Sequence, residues 1–320
     1  MIDNIIIDGM SFALPLFVMA IGGIYSERSG ITNLALEGLQ GFGAFTGALV
    51  AYCLMRSMGA GSSVPYWMAL IFAMIGGAVY SLLHVTLCIR FKANQVISGV
   101  VINILAVALT TFMTKTINKK VFGAPSDKFD LGVSARVTIP VLSKIPVIGA
   151  FFKNVYPFEF VIIIIAIIAW YFLYKTTFGL RLRACGDNPH AVDAAGGDVA
   201  KIRALAVCVS GALSGLAGIC FAYSISAKFS GDIYMGYGYL AIAGYIFGNW
   251  NLLPSLAACL IFGFARSGGY QLVQALGMPS AYSDLVMILP YVLTLFLLIF
   301  LSKNNQAPKA LGETYDKSKR

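Results

Sequence analysis

Charge is what this sequence has least of. Only 12% of its 320 residues are Asp, Glu, Lys or Arg, and 58% are hydrophobic; soluble domains carry about 25% charged residues. A water-soluble fold of this length is excluded, because too few charges exist to cover its surface, and disorder is excluded by the same apolar excess. Histidine is almost missing too. The two present, His84 and His190, have no second ligand nearby in sequence, so no metal site is indicated, and His84 reads as a packing residue. There is no G-x-x-x-x-G-K-[ST] run, so no P-loop for ATP. Paired carboxylates for acid–base chemistry are also lacking, since Asp187, Asp193 and Asp198 are strung along one polar loop, and an enzyme is not expected. The six cysteines stand singly, without C-x-x-C, and read as small packing residues.

What is there comes in blocks. Mean hydropathy is +0.80, and apolar runs of the length needed to cross a hydrocarbon core about 30 Å thick recur along the chain. About nine segments qualify: 9–25, 31–55, 65–90, 94–117, 157–174, 204–224, 232–250, 252–271 and 284–302. The expected fold is an all-α polytopic membrane protein. Acids at Asp3 and Asp8 stand where a cleavable signal would carry Lys or Arg, so the first segment is expected to be retained as a span. A stretch of about forty residues holding Pro125, Pro140 and Pro146 is expected to fold over one membrane face. A second polar interruption runs from Lys175 to Arg203, and residues 303–320 read as a flexible basic tail.

The formal charge of +9 points to orientation and lipid contact rather than nucleic acid in such a chain. With 175–203 and the tail cytoplasmic, nine crossings put the N-terminus outside and thirteen of the 23 basic residues inside. Glycine patterns repeat between the halves. Gly43 and Gly47 form one G-x-x-x-G face, Gly244 and Gly248 another, and Gly211 and Gly215 a third. Repeats at about 9–118 and 204–302 around a connecting span at 157–174 would place two sets of four spans in opposite orientations.

Polar residues inside apolar segments are expensive unless they face a cavity or a partner. Glu37 follows Asn33 by one helical turn, so both are expected on one inward face; Asn103 lies within 94–117, and Tyr237 and Tyr239 enter the Gly-rich segment. Two readings stand for this set. Asn33, Glu37, Asn103, Tyr237 and Tyr239 line a path for an uncharged, hydrogen-bonding solute, the tyrosines stacking on a planar ligand, or they are helix-to-helix glue and an interfacial aromatic belt.

Two stretches carry a family resemblance: Gly23-Ile24-Tyr25-Ser26-Glu27-Arg28-Ser29-Gly30-Ile31-Thr32-Asn33-Leu34-Ala35-Leu36-Glu37-Gly38, and Thr177-Phe178-Gly179-Leu180-Arg181-Leu182-Arg183-Ala184-Cys185-Gly186-Asp187-Asn188-Pro189 with Ala194-Ala195-Gly196. The chain resembles the permeases of ABC importers for ribose, branched-chain amino acids and nucleosides, most of all the shorter permease of nucleoside systems. The resemblance implies one permease domain over 1–320 in a cell membrane, with no cofactor of its own. It further implies ATP-Mg on a separate ATPase subunit, a second homologous permease and an extracellular substrate-binding protein as partners, and membrane lipid around this chain. It makes 175–203 a cytoplasmic coupling loop, whose ATPase-docking knob would be Asp187, Asn188, Pro189, Ala191, Val192, Ala194, Ala195 and Gly196. Their chemistry suits a compact helix: Asp187 or Asn188 as cap, Pro189 at the first position, small apolar residues, and glycine at the end. Gly197-Asp198 departs from the apolar residue the family pattern leads one to expect there. Sugar or branched-chain amino acid cargo, and an ion-coupled carrier needing no ATPase, are the alternatives.

Overall fold

In the computed structural model, residues 2–59, 62–123, 125–132, 136–140, 143, 148–279, 281–286, 288–301 and 306–317 are described. Seven helices among them are long and apolar enough to cross a membrane. These are α1 (Ile2–Arg28), α2 (Leu36–Met58), α3 (Val64–Val85, extended to Arg90 by a π turn), α4 (Gln95–Val121), α5 (Pro157–Lys175), α8 (Val199–Phe221, extended to Ser226 by a π turn) and α10 (Leu252–Ala275). Shorter helices are α6 (Thr177–Asp187), α7 (Pro189–Ala194), α9 (Tyr237–Phe247), α11 (Ala281–Val286) and α12 (Leu289–Leu301). The chain is a polytopic all-α membrane protein.

Helices α1 and α8 form the centre. They are buried over 78% and 72% of their apolar windows, against 28% for the peripheral α5. Helix α1 packs on α8, α10 and α9, while α8 packs on α1, α3 and α2. Glycine makes these approaches possible: a Cβ on Gly215 of α8 would collide with the backbone of Ala73 in α3, and one on Gly43 of α2 with the Cα of Gly215. In lipid, where apolar surface alone does not drive helices together, such close backbone contact supplies the packing attraction.

Three expectations need correction. The segment 232–250 is not one spanning helix. It holds a 3-10 turn (Gly231–Ile233), Gly236 in the left-handed region at φ +83°, and the 11 residues of α9, which at 1.5 Å per residue reach about 16 Å, half a bilayer core. The segment 31–55 is not helical from its start, since residues 31–35 are non-helical and α2 begins at Leu36. Nor is the described part of the tail loose. Ala310 N–H donates to the Gly186 carbonyl (2.7 Å), Gly312 N–H to that of Gly30 (3.1 Å), and Gln306 N–H to Asn249 Oδ1 (2.9 Å). Ion pairs Lys92–Asp316 (3.0 Å) and Lys317–Asp193 (3.4 Å) complete this strap. Residues 302–305 and 318–320 lie outside the described residues.

Between α4 and α5, the strand β1 (Phe129–Asp130) pairs antiparallel with β2 (Lys228–Phe229), which follows α8. Phe129 and Phe229, both buried, tie the long connection to the irregular segment that leads into α9.

Candidate functional site

The polar residues of α2, α4 and α9 meet in one buried clasp. Helix α9 starts within the protein, where its first N–H groups have no preceding turn to bond to. The Glu37 carboxylate fills that need: Oε1 accepts from Gly236 N–H (2.8 Å) and Oε2 from Gly238 N–H (2.5 Å). A carboxylate at a helix N-terminus is also favoured by the helix dipole. Close approach is obligatory, because a Cβ on Gly238 would overlap the Glu37 backbone.

The start of α2 is served differently. Asn103 Oδ1 accepts from Gly38 N–H (2.7 Å), and its Nδ2 donates to the Leu34 carbonyl (2.8 Å) and the Tyr239 hydroxyl (3.1 Å). Asn33 Oδ1 accepts from Ala35 N–H (3.1 Å), while its Nδ2 donates to Ser210 Oγ of α8 (2.9 Å). Asn103 lies eight residues into α4 and Ser210 eleven into α8, so the clasp sits about 12–16 Å from those helix starts, at mid-depth. Asn33 and Glu37 do not share a helical face, because residues 31–35, between Gly30 (φ +94°) and Leu36, are non-helical and end in a turn at Leu34 and Ala35.

Tyr237 and Tyr239 part company. The ring of Tyr237 is buried edge-on against Phe12 at 5.2 Å and beside Phe221 at 4.8 Å; Tyr239 remains 47% exposed, with its hydroxyl on Asn103. Gln40, one turn beyond Glu37, donates to the Ile233 carbonyl (3.1 Å), and Tyr234 shares a hydrogen bond with Thr110 (3.0 Å). Sequence reasoning passed over Gln40, although its spacing from Glu37 puts it on the same face. His84 is more than packing: its ring nitrogens lie 2.9 Å from Ser98 Oγ and 3.1 Å from the Thr32 carbonyl, joining α3, α4 and the segment before α2. Glu27 was also missed. It accepts from the Tyr245 hydroxyl (2.8 Å) and Trp250 Nε1 (2.6 Å), fixing the turn between α9 and α10.

On the polar 175–203 segment, Asn188 is the N-cap of α7, accepting from Ala191 N–H at 3.1 Å, and Pro189 takes the first position. Asp187 instead ends α6 and is exposed. Ala191, Ala194, Ala195 and Gly196 are exposed, whereas Pro189 and Val192 turn inward. The helix closes with Gly196 at φ +80°, its N–H on the Asp193 carbonyl and that of Gly197 on the Val192 carbonyl (both 2.9 Å), the left-handed ending that glycine permits. Asp198, which departs from the family pattern, starts α8: its carboxylate accepts from Lys201 N–H (3.1 Å), and that bond, with the Lys201 side chain, holds it below the usual carboxylate range.

The described residues contain no cluster of three or more potential metal ligands. Residues 5–298 match the family model described as branched-chain amino acid transport system / permease component. This chain belongs to that family. It is 40% identical to the guanosine ABC transporter permease protein NupQ of Bacillus subtilis over 97% of this chain and 95% of that protein. It is 36% identical to the nucleoside ABC transporter permease protein NupC of Lactococcus lactis over 98% and 97%. With the guanosine ABC transporter permease protein NupP of Bacillus subtilis it shares 27% over 85% and 75%. No solved structure gives a significant match. The protein is a permease subunit, a membrane transport component and not an enzyme.

Proposed function

We propose that this permease forms half of the solute path of an ATP-driven nucleoside importer. The observation that carries the reading is near full-length similarity to two nucleoside permeases, at 40% and 36% identity. The internal geometry is in keeping with it: a half-length helix begins at mid-depth on a carboxylate from the opposite half of the chain, the kind of broken helix from which transporter sites are built. Asn33, Glu37, Asn103, Tyr237 and Tyr239 are the residues assigned to that path, with Glu37 and Asn103 holding its walls in position.

Two inverted repeats, 9–118 and 204–302, flank the connecting span 157–174. This is supported by a reciprocal packing pattern, with α8 against α3 and α2 in one half and α1 against α10 and α9 in the other. Each half also has an irregular segment before its second helix, 29–35 and 227–236. The loop 175–203 and the C-terminal strap lie on the cytoplasmic side of the cell membrane in this reading. There α7 docks on a separate ATPase that carries ATP-Mg, its exposed Ala191, Ala194 and Ala195 fitting a cleft. NupQ and NupP, two guanosine permease proteins of one organism, support a second permease as partner, and an extracellular binding protein delivers the solute.

Radiolabelled nucleoside uptake by the assembled complex tests this. Uptake should require ATP, and Ala195→Arg should abolish it while the binding protein still captures solute. Uptake that survives ATP depletion, or that is normal in the variant, refutes the assignment.

A further inference from the structure

Beside the start of α9 lies a cavity of about 330 Å³ between α1, α9, α10 and α12. Its walls are mainly Phe12, Met235, Tyr237, Leu240, Arg266 and Tyr291. An arginine within an apolar span is costly and marks function by default. Among the described residues Arg266 makes no ion pair with a carboxylate. Its guanidinium rests instead 4.5 Å from the Phe12 ring centre and 5.2 Å from that of Tyr270, within reach of the Tyr237 hydroxyl. Tyr291 is fixed by its hydroxyl on the Met235 carbonyl (2.7 Å). The cavity thus offers aromatic faces and one planar fork of donors.

The local charge selects further. Asp8 stands one helical turn before Phe12, whose ring carries the Arg266 guanidinium, and Glu37 holds the N–H groups of Gly236 and Gly238 on either side of Tyr237. Two carboxylates beside a cavity that holds one guanidinium disfavour an anionic solute such as a nucleotide. We infer that this cavity receives the base of an uncharged 6-oxopurine nucleoside, stacked against the tyrosines, with the Arg266 fork donating to O6 and N7. That fork matches the oxopurine edge, whereas a 6-aminopurine presents a donor at the same place. The inference rests on the nucleoside reading above and names the solute class and the residue that selects it.

The test is uptake of radiolabelled inosine and adenosine at saturating concentration by the complete importer in cells, with permease level and complex assembly measured alongside. Arg266→Lys keeps the charge but loses the fork, and should lower the inosine-to-adenosine rate ratio about tenfold, the value of one good bidentate contact. Leu240→Trp fills the cavity and should stop uptake of both in an assembled complex. An unchanged ratio in Arg266→Lys, or unchanged uptake in assembled Leu240→Trp, overturns the assignment. A wild-type importer that takes up neither nucleoside instead refutes the proposed function.

Discussion

Helices α2 and α9 both begin inside the protein, and they solve the same problem with different chemistry. At α2, neutral amides accept the free N–H groups: Asn33 takes that of Ala35 and Asn103 that of Gly38. At α9, a carboxylate takes two, from Gly236 and Gly238. The amide solution is local on one side and also crosslinks, since Asn33 reaches α8 and Asn103 reaches α9 through Tyr239. The carboxylate solution uses residues 199 and 201 positions away in sequence, so the start of α9 exists as a defined structure only when the two halves are together. A charge is tolerable there because both oxygens are occupied and the helix dipole opposes it.

The comparison is broken most directly at Glu37. Glu37→Ala leaves two N–H groups at the start of α9 without their acceptor, and at about 1.5–3 kcal/mol for each hydrogen bond to a charged group it should cost several kcal/mol. Thermal unfolding in detergent should show a large drop in Tm, and uptake should fall with it. Unchanged Tm with lost uptake would instead put Glu37 on the solute and not on the helix.

Asn103→Ala should come next. It removes the acceptor of Gly38 N–H and the donor to the Leu34 carbonyl, a loss of about 1–3 kcal/mol per orphaned group, read by the same melting experiment. If it proves as harmful as Glu37→Ala, the distinction between charged and neutral caps carries no energetic weight. Tyr239→Phe keeps the ring and removes only the hydroxyl that accepts from Asn103, which retains two other partners. A change of about 0.5–1.5 kcal/mol is expected.

A third helix start, that of α8, shows a carboxylate cap without burial. Asp198 is held below its usual range by Lys201. The sign follows from that direction: the carboxylate favours the folded helix start above the unfolded carboxyl pKa, and the benefit disappears as pH falls through the lower folded value. In Asp198→Asn this acid dependence should vanish while the neutral cap persists, detectable as a small loss of pH sensitivity in hydrogen exchange at residues 199–202. This is the smallest effect of the four, since solvent screens the site.

Particular residues show how far the chain could be read without its structure. Asn188-Pro189 and Gly196 were legible as the ends of a short helix, because a cap, a fixed φ and a left-handed ending are local choices. Glu37 and Asn103 were legible as buried polar groups needing partners, and Gly211 with Gly215 as a close-packing face. The partners themselves were not legible. Nothing near Gly236 announces a carboxylate from α2, and nothing in the basic tail announces hydrogen bonds to Gly30 and Gly186.

The sequence by itself determined that this is a polytopic helical membrane protein, which apolar runs impose through the cost of unbonded backbone in lipid, and it carried the motifs of a permease. Only the tertiary structure decided that 232–250 holds a half-length helix, that Glu37 from the other half starts it, that the strap docks, and that Arg266 faces an aromatic cavity. Helix formation follows from residues within a turn or two, whereas these features depend on groups more than two hundred residues apart being brought to hydrogen-bonding distance.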